Sequence, residues 1–600
     1  MMSSASFLDK PLLKVSRPVA ACSRCRTAKI KCDGKLPACS ACERVGKGST
    51  CSGASDEFAR GKERSYVASL EGYCERLEKR IADLRRHKRS LSADESGFVR
   101  ESSITSMSSF GTVGQAHRKE VSDIDDLVGD FGFLSVNATS RDFHGIQSNT
   151  SFANLLLSLS VAEPIPELPP QPLPARNEIT PLLQHFFDNL YIQVPFFSET
   201  SFWTSVGTVY ETGGRFAKPS DHWFLRMVMA IASASISHHS GDSNQQKSLS
   251  LVSGALPYAE EVLRPGSIIG IQALLLLAHY SLFDPKHFRS WYLVGMAARA
   301  LVDLGLHQDP HSEILKTDEQ LEMRRHVFYC VYCLDRGLST ALERTFSLSD
   351  DSINVAIPST ADSVLVGKNQ IFLHGSEPAL NMVQIRKILS SAYQRKYFSS
   401  DGMPLESTWI LCSTAQEWFD NTPMSMPSCF PNCYRLELLY TTVIILSPTL
   451  EYRLCEYGKV LLFDTCVQYT LELHRLMESP SGLSLLTVLD IQRAYQASRR
   501  LLCLLRQDYE VVMNTLMPAL PAKFHEIPKP PLLDAEHRAG CHARAIKSLE
   551  QIQNFLQYGA RKWELQQLFE DFQHDSASVW KRLVESSVTY APGLGPYVRF

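Results

Sequence analysis

The stretch from Ala21 to Cys51 limits what this chain can be more than any other. It carries six cysteines, Cys22, Cys25, Cys32, Cys39, Cys42 and Cys51, in the order C-x2-C-x6-C-x6-C-x2-C-x8-C, which is two copies of one C-x2-C-x6–8-C unit. A pair of thiolates two residues apart at a turn is the usual way a short chain supplies half of a tetrahedral zinc site. Two separate four-thiolate zincs would need more ligands than six cysteines offer. The count closes only if two thiolates each bridge both metals, and the duplication makes the first cysteine of each half, Cys22 and Cys39, the symmetric choice. The expectation is two zinc ions per chain held by all six cysteines. The competing readings are a disulfide knot, a single zinc with two spare thiols, or chance; a disulfide framework suits a short secreted chain, and nothing in this sequence suggests secretion.

Around these cysteines lie the basic run Arg26 to Lys31, the Cys32-Asp33-Gly34 turn and Pro37, two residues before Cys39. With them the stretch resembles the fungal zinc binuclear cluster (Zn2Cys6) DNA-binding domain. That resemblance implies double-stranded DNA as partner and a CGG triplet read in the major groove from the end of a short helix, expected over Ser23 to Ile30. Lys29 falls at the family's main base-contacting position, where a lysine can donate to guanine O6 and N7. Arg26 and Lys31 fall at neighbouring positions suited to phosphate contacts, which position a protein without specifying sequence. Most members carry a second basic residue just before the key lysine; this chain has Ala28.

Composition supports the same division. The net charge of −3 hides an asymmetry, because Arg17 to Cys51 contains eight Lys or Arg against Asp33 and Glu43, a local charge of +6. A basic patch on a near-neutral chain reads as a polyanion contact. Six hundred residues with 44% hydrophobic side chains exceed one core and suggest several modules. The start of the chain has no apolar segment of secretory type. The longest apolar runs, Ile271 to Ala278 and Leu438 to Leu446, are far shorter than the ~18 residues of a membrane span, so no membrane partner is expected. The ten cysteines outside the cluster lack framework spacing and read as reduced core thiols, Cys330 and Cys333 included.

Along the chain, 1–16 reads as a flexible tail, 17–55 as the zinc domain and 56–65 as a linker. Residues 66–91 show a heptad, with Val67, Cys74, Ile81 and Lys88 at a and Leu70, Leu77, Leu84 and Leu91 at d. Four consecutive d leucines argue for a parallel two-stranded coiled coil and hence a homodimer. The run Arg85, Arg86, Lys88, Arg89 is suited to nuclear import. Residues 92–178 read mostly as disordered Ser/Pro-rich linker, closed by the prolines between Pro164 and Pro174.

Residues 179–560 read as one large helical region. The helix opening at Leu182 should stop before Pro195. Trp291 to Leu304 is amphipathic with Gly305 placed as its cap, and Arg324 to Leu338 is apolar nearly all round and should be buried. The segments SWYLVGMAARALVDLGLHQD, RRHVFYCVYCLDRGLS and SLSDDSINVAIP resemble the fungal-specific transcription factor middle homology domain, although the family's Gly-Arg-Pro reads Glu343-Arg344-Thr345 here, so a different turn is expected there. His307, Asp309 and His326 read as helix-end and surface residues, and no catalytic constellation stands out. Residues 561–600 form a C-terminal segment in which Leu565, Leu568, Phe569 and Phe572 make an apolar stripe among acidic residues. That stripe is suited to a coactivator groove or to packing on the helical region.

The reading is therefore mainly α: a small Zn2Cys6 domain, a short coiled coil, a disordered linker and a large all-α middle homology domain. Its function is a zinc-dependent, sequence-specific nuclear transcription factor, not an enzyme, more an activator than a repressor, with a coactivator or corepressor as further partner.

Overall fold

The computed structural model describes residues 24–25, 28–30, 39–47, 152–166, 172–310, 318–358, 376–397, 405–422, 430–449, 453–521 and 528–590. The heptad residues Val67, Leu70, Cys74, Leu77, Ile81, Leu84 and Leu91 lie outside them. Two compact units divide the chain, Met1–Ser108 and Ser109–Phe600. In the first, the described elements are a helical turn at Arg24–Cys25 and the short helix α1 (Ser40–Glu43).

The second unit is a stack of helices: α2 (Phe152–Ser160), α3 (Arg176–His185), α4 (Glu199–Tyr210), α5 (Pro219–Ser235), α6 (Ser243–Ala255), α7 (Ala259–Val262), α8 (Ile268–Ser281), α9 (Ser290–Asp303), α10 (Asp318–Ala341), α11 (Glu377–Tyr397), α12 (Leu405–Asp420), α13 (Phe430–Leu446), α14 (Glu456–Glu478), α15 (Pro480–Leu483), α16 (Val488–Gln507), α17 (Tyr509–Met513), α18 (Ala535–Ala539), α19 (Cys541–Trp563) and α20 (Gln566–Tyr590). Among the described residues there is no strand, only two isolated bridges, and no helix is long and apolar enough to cross a membrane. The stretch 92–178 is not linker throughout, because α2 buries Ala153 and Leu156 against α7 and α9.

Local chemistry sets the helix ends. Ser198, Asp242 and Ser267 each accept an N–H from the first turn of α4, α6 and α8, satisfying a donor that has no intrahelical partner. The chain of α3 continues through a π turn and a 3-10 turn to Gln193 and leaves helical geometry before Pro195. At the end of α9, Gly305 takes φ 64° and Leu306 N–H bonds to Leu301 carbonyl at 2.9 Å, a Schellman cap. Glu343, where the family carries glycine, takes φ 54°, and Arg344 N–H bonds to Ser339 carbonyl at 2.8 Å. The turn here is left-handed at a glutamate, and Arg500 lies 3.3 Å from its carboxylate.

α10 is the centre of the stack, packed on α9, α11 and α16, with nearly every side chain from His326 to Ala341 buried. Arg336, wholly buried, donates to Asp335 (2.6 Å), Asp350 (2.7 Å), Leu348 carbonyl (2.8 Å) and Ser390 (3.2 Å). Its guanidinium also lies over the rings of Tyr332 and Phe346, at 4.2 and 4.4 Å. The three segments quoted above meet here: Arg325 of α10 grips Asp309, and Asp309 accepts Ala356 N–H, which pins residues 354–356 beside the end of α9. Deeper in, Arg386 of α11 and Arg493 of α16 share the carboxylate of Glu437 on α13, at 2.5–2.8 Å. Burial alone would raise the Glu437 pKa; the two guanidiniums overcome that and hold it at about 2.

Two apolar cores flank these ion pairs, one gathered from residues 153–355 with parts of α11 to α13, the other from α11 to α20. The acidic C-terminal stretch belongs to the second, since Phe572, Val579 and Leu583 of α20 are buried, and Leu565, Leu568, Phe569 and Trp580 are half-buried against it.

Two outcomes are expected. Glu437→Gln removes the carboxylate that two buried guanidiniums share and should destabilise the unit by about 3–5 kcal/mol in denaturant titration. Lys396, buried and donating to the last carbonyls of α13 (Ile444, 2.9 Å; Ile445, 2.7 Å), has its pKa drawn down by burial and by Arg500 to about 7. Between that value and the ~10.4 of an unfolded lysine, the unfolded chain holds a proton the folded chain lacks, so stability rises with pH by up to about 1.4 kcal/mol per unit. The denaturation midpoint of Lys396→Met should be measurably less dependent on pH between 7 and 9 than that of the parent chain.

Candidate zinc cluster and nucleic-acid interface

The duplication seen in the cysteine spacing recurs in the backbone. In the second half, α1 ends with Gly46 at φ 68° and Lys47 N–H bonded to Cys42 carbonyl at 3.0 Å. In the first half, the turn from Arg24 ends with Lys29 at φ 50° and Ile30 N–H bonded to Cys25 carbonyl at 3.0 Å. Both are Schellman caps at equivalent places. The first helix is therefore shorter than expected and stops before Lys29 rather than at Ile30, because a residue with positive φ cannot continue a right-handed helix.

Cys39 is the N-cap residue of α1 and Cys42 stands three residues on, so one turn carries both thiols to the same side. Cys25, Cys39 and Cys42 are buried, and their sulfurs all lie within 4.8 Å of one another. The Cys25 and Cys39 sulfurs are 3.6 Å apart. Two thiolates on one tetrahedral zinc at 2.3 Å stand about 3.8 Å apart, so this pair fits a shared metal without rearrangement. The sulfur that approaches the first half so closely is the first cysteine of the second half, the place a bridging ligand requires. Cys22, Cys32 and Cys51 lie outside the described residues.

Arg24, one of the eight basic residues of the patch, is half-buried, and its guanidinium lies 3.5 Å from Cys42 Sγ and from Ala41 carbonyl, joining the two halves. Its position between the cysteines of a C-x2-C pair was the available signal, since a donor there is within reach of sulfur; N–H donation tunes a thiolate ligand from the second layer. Lys29 faces solvent, as does Ile30 beside it. A lysine in the left-handed region costs roughly 1–2 kcal/mol that glycine does not, and the equivalent position of the other half is glycine. Arg26 and Lys31 lie outside the described residues.

In the helical unit, His307 and Asp309 are half-exposed at the end of α9, and Asp309 is taken up by Arg325. His326 is buried, not at the surface, and burial drives its pKa to about 3. It shares a cavity of about 10 Å³, room for one water, with Tyr329, Cys330, Cys333 and Leu380. Burial pushes the Cys333 thiol up to about 12 and Cys330 well above its ordinary value, which keeps both as inert thiols.

Residues 20–60 match the family described as the fungal Zn(2)-Cys(6) binuclear cluster domain, and residues 183–441 match the fungal specific transcription factor domain. The first of these binds two zinc ions through its cysteines, and the site described above fits that metal. Curated relatives include "Transcription factor FBD3" of Gibberella moniliformis, 23% identical over 70% of this chain and 65% of the relative. An "ABC-transporter-regulating transcription factor" of Aspergillus oryzae is 25% identical over 68% of this chain and 55% of its own length. A "Positive regulator of purine utilization" of Emericella nidulans is 25% identical, over 59% and 46%. The chain thus spans less than two thirds of the length of these relatives. No solved structure matches.

Metal analysis of the purified chain should find two zincs, and Cys39→Ser should lose both. Lys29→Gly should make the zinc-loaded domain about 1 kcal/mol more resistant to thermal unfolding, since it relieves the left-handed lysine.

Proposed function

We propose that this chain, which belongs to the fungal Zn2Cys6 transcription factors and not to an enzyme family, is a sequence-specific nuclear regulator of RNA polymerase II genes. It binds CGG-type half-sites as a homodimer and activates more than it represses. Cys22, Cys25, Cys32, Cys39, Cys42 and Cys51 hold the two zincs, with Cys22 and Cys39 bridging. The observation that carries the DNA-reading role is Lys29: a solvent-facing lysine held in a left-handed cap where the duplicate half has glycine. The chain keeps a strained lysine there, and strain of this kind gathers where a side chain must be presented to a ligand. On a zinc frame its ammonium can reach guanine O6 and N7 in the major groove, while Arg26 and Lys31 take phosphates. The positive sign of regulation draws on the relative titled a positive regulator. The homodimer rests on the heptad of residues 66–91, and a coactivator is the implied protein partner.

Selection of bound sequences from random DNA by the zinc-loaded chain tests this reading. Paired CGG triplets are the expected product, and an enriched pool without them would overturn it. Lys29→Ala should cost about 1–3 kcal/mol at the selected site and relax its sequence preference, whereas Arg26→Ala should weaken specific and random DNA alike and lower the salt dependence by about one ion. Leu77→Pro should abolish the preference for paired over single half-sites, since a proline inside a helix costs about 3 kcal/mol or more.

A further inference from the structure

The connection between α17 and α18 has a composition and a conformation that the helical stack does not use. It reads NTLMPALP over 514–521 and PKPPLLD over 528–534. Leu516, Met517, Leu520 and Leu532 are 73%, 49%, 50% and 82% exposed, so four of the thirteen large apolar side chains exposed among the described residues fall on this one connection. Its two ends are nonetheless fixed. Arg538, only 2% exposed, donates to Val512 carbonyl at 2.9 Å and also to Asn514 carbonyl, and Cys541 Sγ lies 3.4 Å from Met513 carbonyl. At the other end Tyr457 hydroxyl donates to Pro531 carbonyl at 2.7 Å and Leu533 is buried. A segment clamped at both ends that keeps its leucines in water is displayed, not frayed.

Its backbone is constrained as well. From Met517 to Pro521 the chain makes neither turn nor bend, and the backbone bonds outside regular elements include none from these residues. Pro518 and Pro521 have φ fixed near −65°, and Met517 and Leu520, each preceding a proline, are held to extended or polyproline geometry. A polyproline II helix has three residues per turn and no internal hydrogen bonds. Pro518 and Pro521 therefore stand on one edge of such a helix, each half-buried, with Leu520 exposed between them. Pro528 and Pro531 repeat the spacing, but their run is tied down through Pro531 and Leu533. Among the described residues the hydrogen bond nearest the first run is local, from Leu516 N–H to Asn514 Oδ1 at 3.0 Å.

We propose that residues 516–521 are a docking strip for a polyproline-reading module, an SH3- or WW-type domain whose aromatic-lined groove takes Pro518 and Pro521 in neighbouring slots and covers Leu516 and Leu520. Recognition of this kind works because the ligand is already extended and loses little entropy on binding. Here the clamp by Arg538 adds to that preorganisation. The strip lies in the helical unit.

The test uses the full chain against an array of purified SH3 and WW domains, with binding followed by titration. At least one domain should bind the parent chain, and the double variant Pro518→Ala/Pro521→Ala should weaken that binding by roughly tenfold or more. The matched variant Pro528→Ala/Pro531→Ala should bind as the parent does. Thermal unfolding of the first variant should fall no further than that of the matched variant, since Pro518 and Pro521 are half-buried but belong to neither core, and its DNA binding should be unchanged. No binding by any domain, or binding that survives Pro518→Ala/Pro521→Ala, would overturn the proposal.

Discussion

One buried carboxylate ties three helices together, and the hydrogen bonds beside it reach a fourth. Glu437 stands on α13, is gripped by Arg386 from α11 and Arg493 from α16, and lies one turn before Tyr440, whose hydroxyl donates to Gln496. Gln496 in turn donates to the carbonyls of Thr340 and Ala341 at the end of α10. An apolar seam would tolerate sliding by a turn, because leucines pack on many partners. A buried charge with two guanidiniums tolerates one arrangement, since any other leaves an ion unpaired in a medium of low polarity. Specificity of packing is what this network contributes, more than net stability. Arg336, buried in α10, plays the same part toward the 347–350 segment.

The small unit relies on a different constraint. A domain of about 35 residues cannot bury enough apolar surface to fold alone, so the metal supplies what a core would. Three of its sulfurs lie within 4.8 Å of one another, the spacing that a shared ion would hold. The frame is near-symmetric and its function is not. At equivalent caps one half carries glycine, the relaxed choice, and the other carries lysine. The energy lost to that lysine is small beside the metal–thiolate bonds, so the frame can bear it.

In the helical unit, burial lowers the pKa of His326 and raises that of the Cys333 thiol, so both are held neutral. The unit's last two helices are tied to its first half by Glu564, the residue that caps α19, which pairs with Lys286 and accepts from Ser240. The apolar face of the acidic C-terminal stretch is used in that closure, with Phe572 in the core.

The sequence by itself determined the metal and the fold class. Thiolate number and spacing limit the coordination arithmetic, and helical periodicity with glycine or proline at the ends is local, so Gly305 and Pro195 could be read without knowing their neighbours. It also marked Lys29, though not its strain. Tertiary structure alone decided the rest. Whether His326 is wet or dry depends on which helix covers it. Arg24 looks like any other basic residue until the second half of the cluster places a sulfur 3.5 Å away. Glu437, Arg386 and Arg493 are common surface residue types, separated by more than fifty positions; only the approach of three helices makes them a buried ion network. Glu343 is a further case: its residue type gives no sign of a positive φ, yet the hydrogen bond from Arg344 N–H to Ser339 carbonyl closes a left-handed turn there.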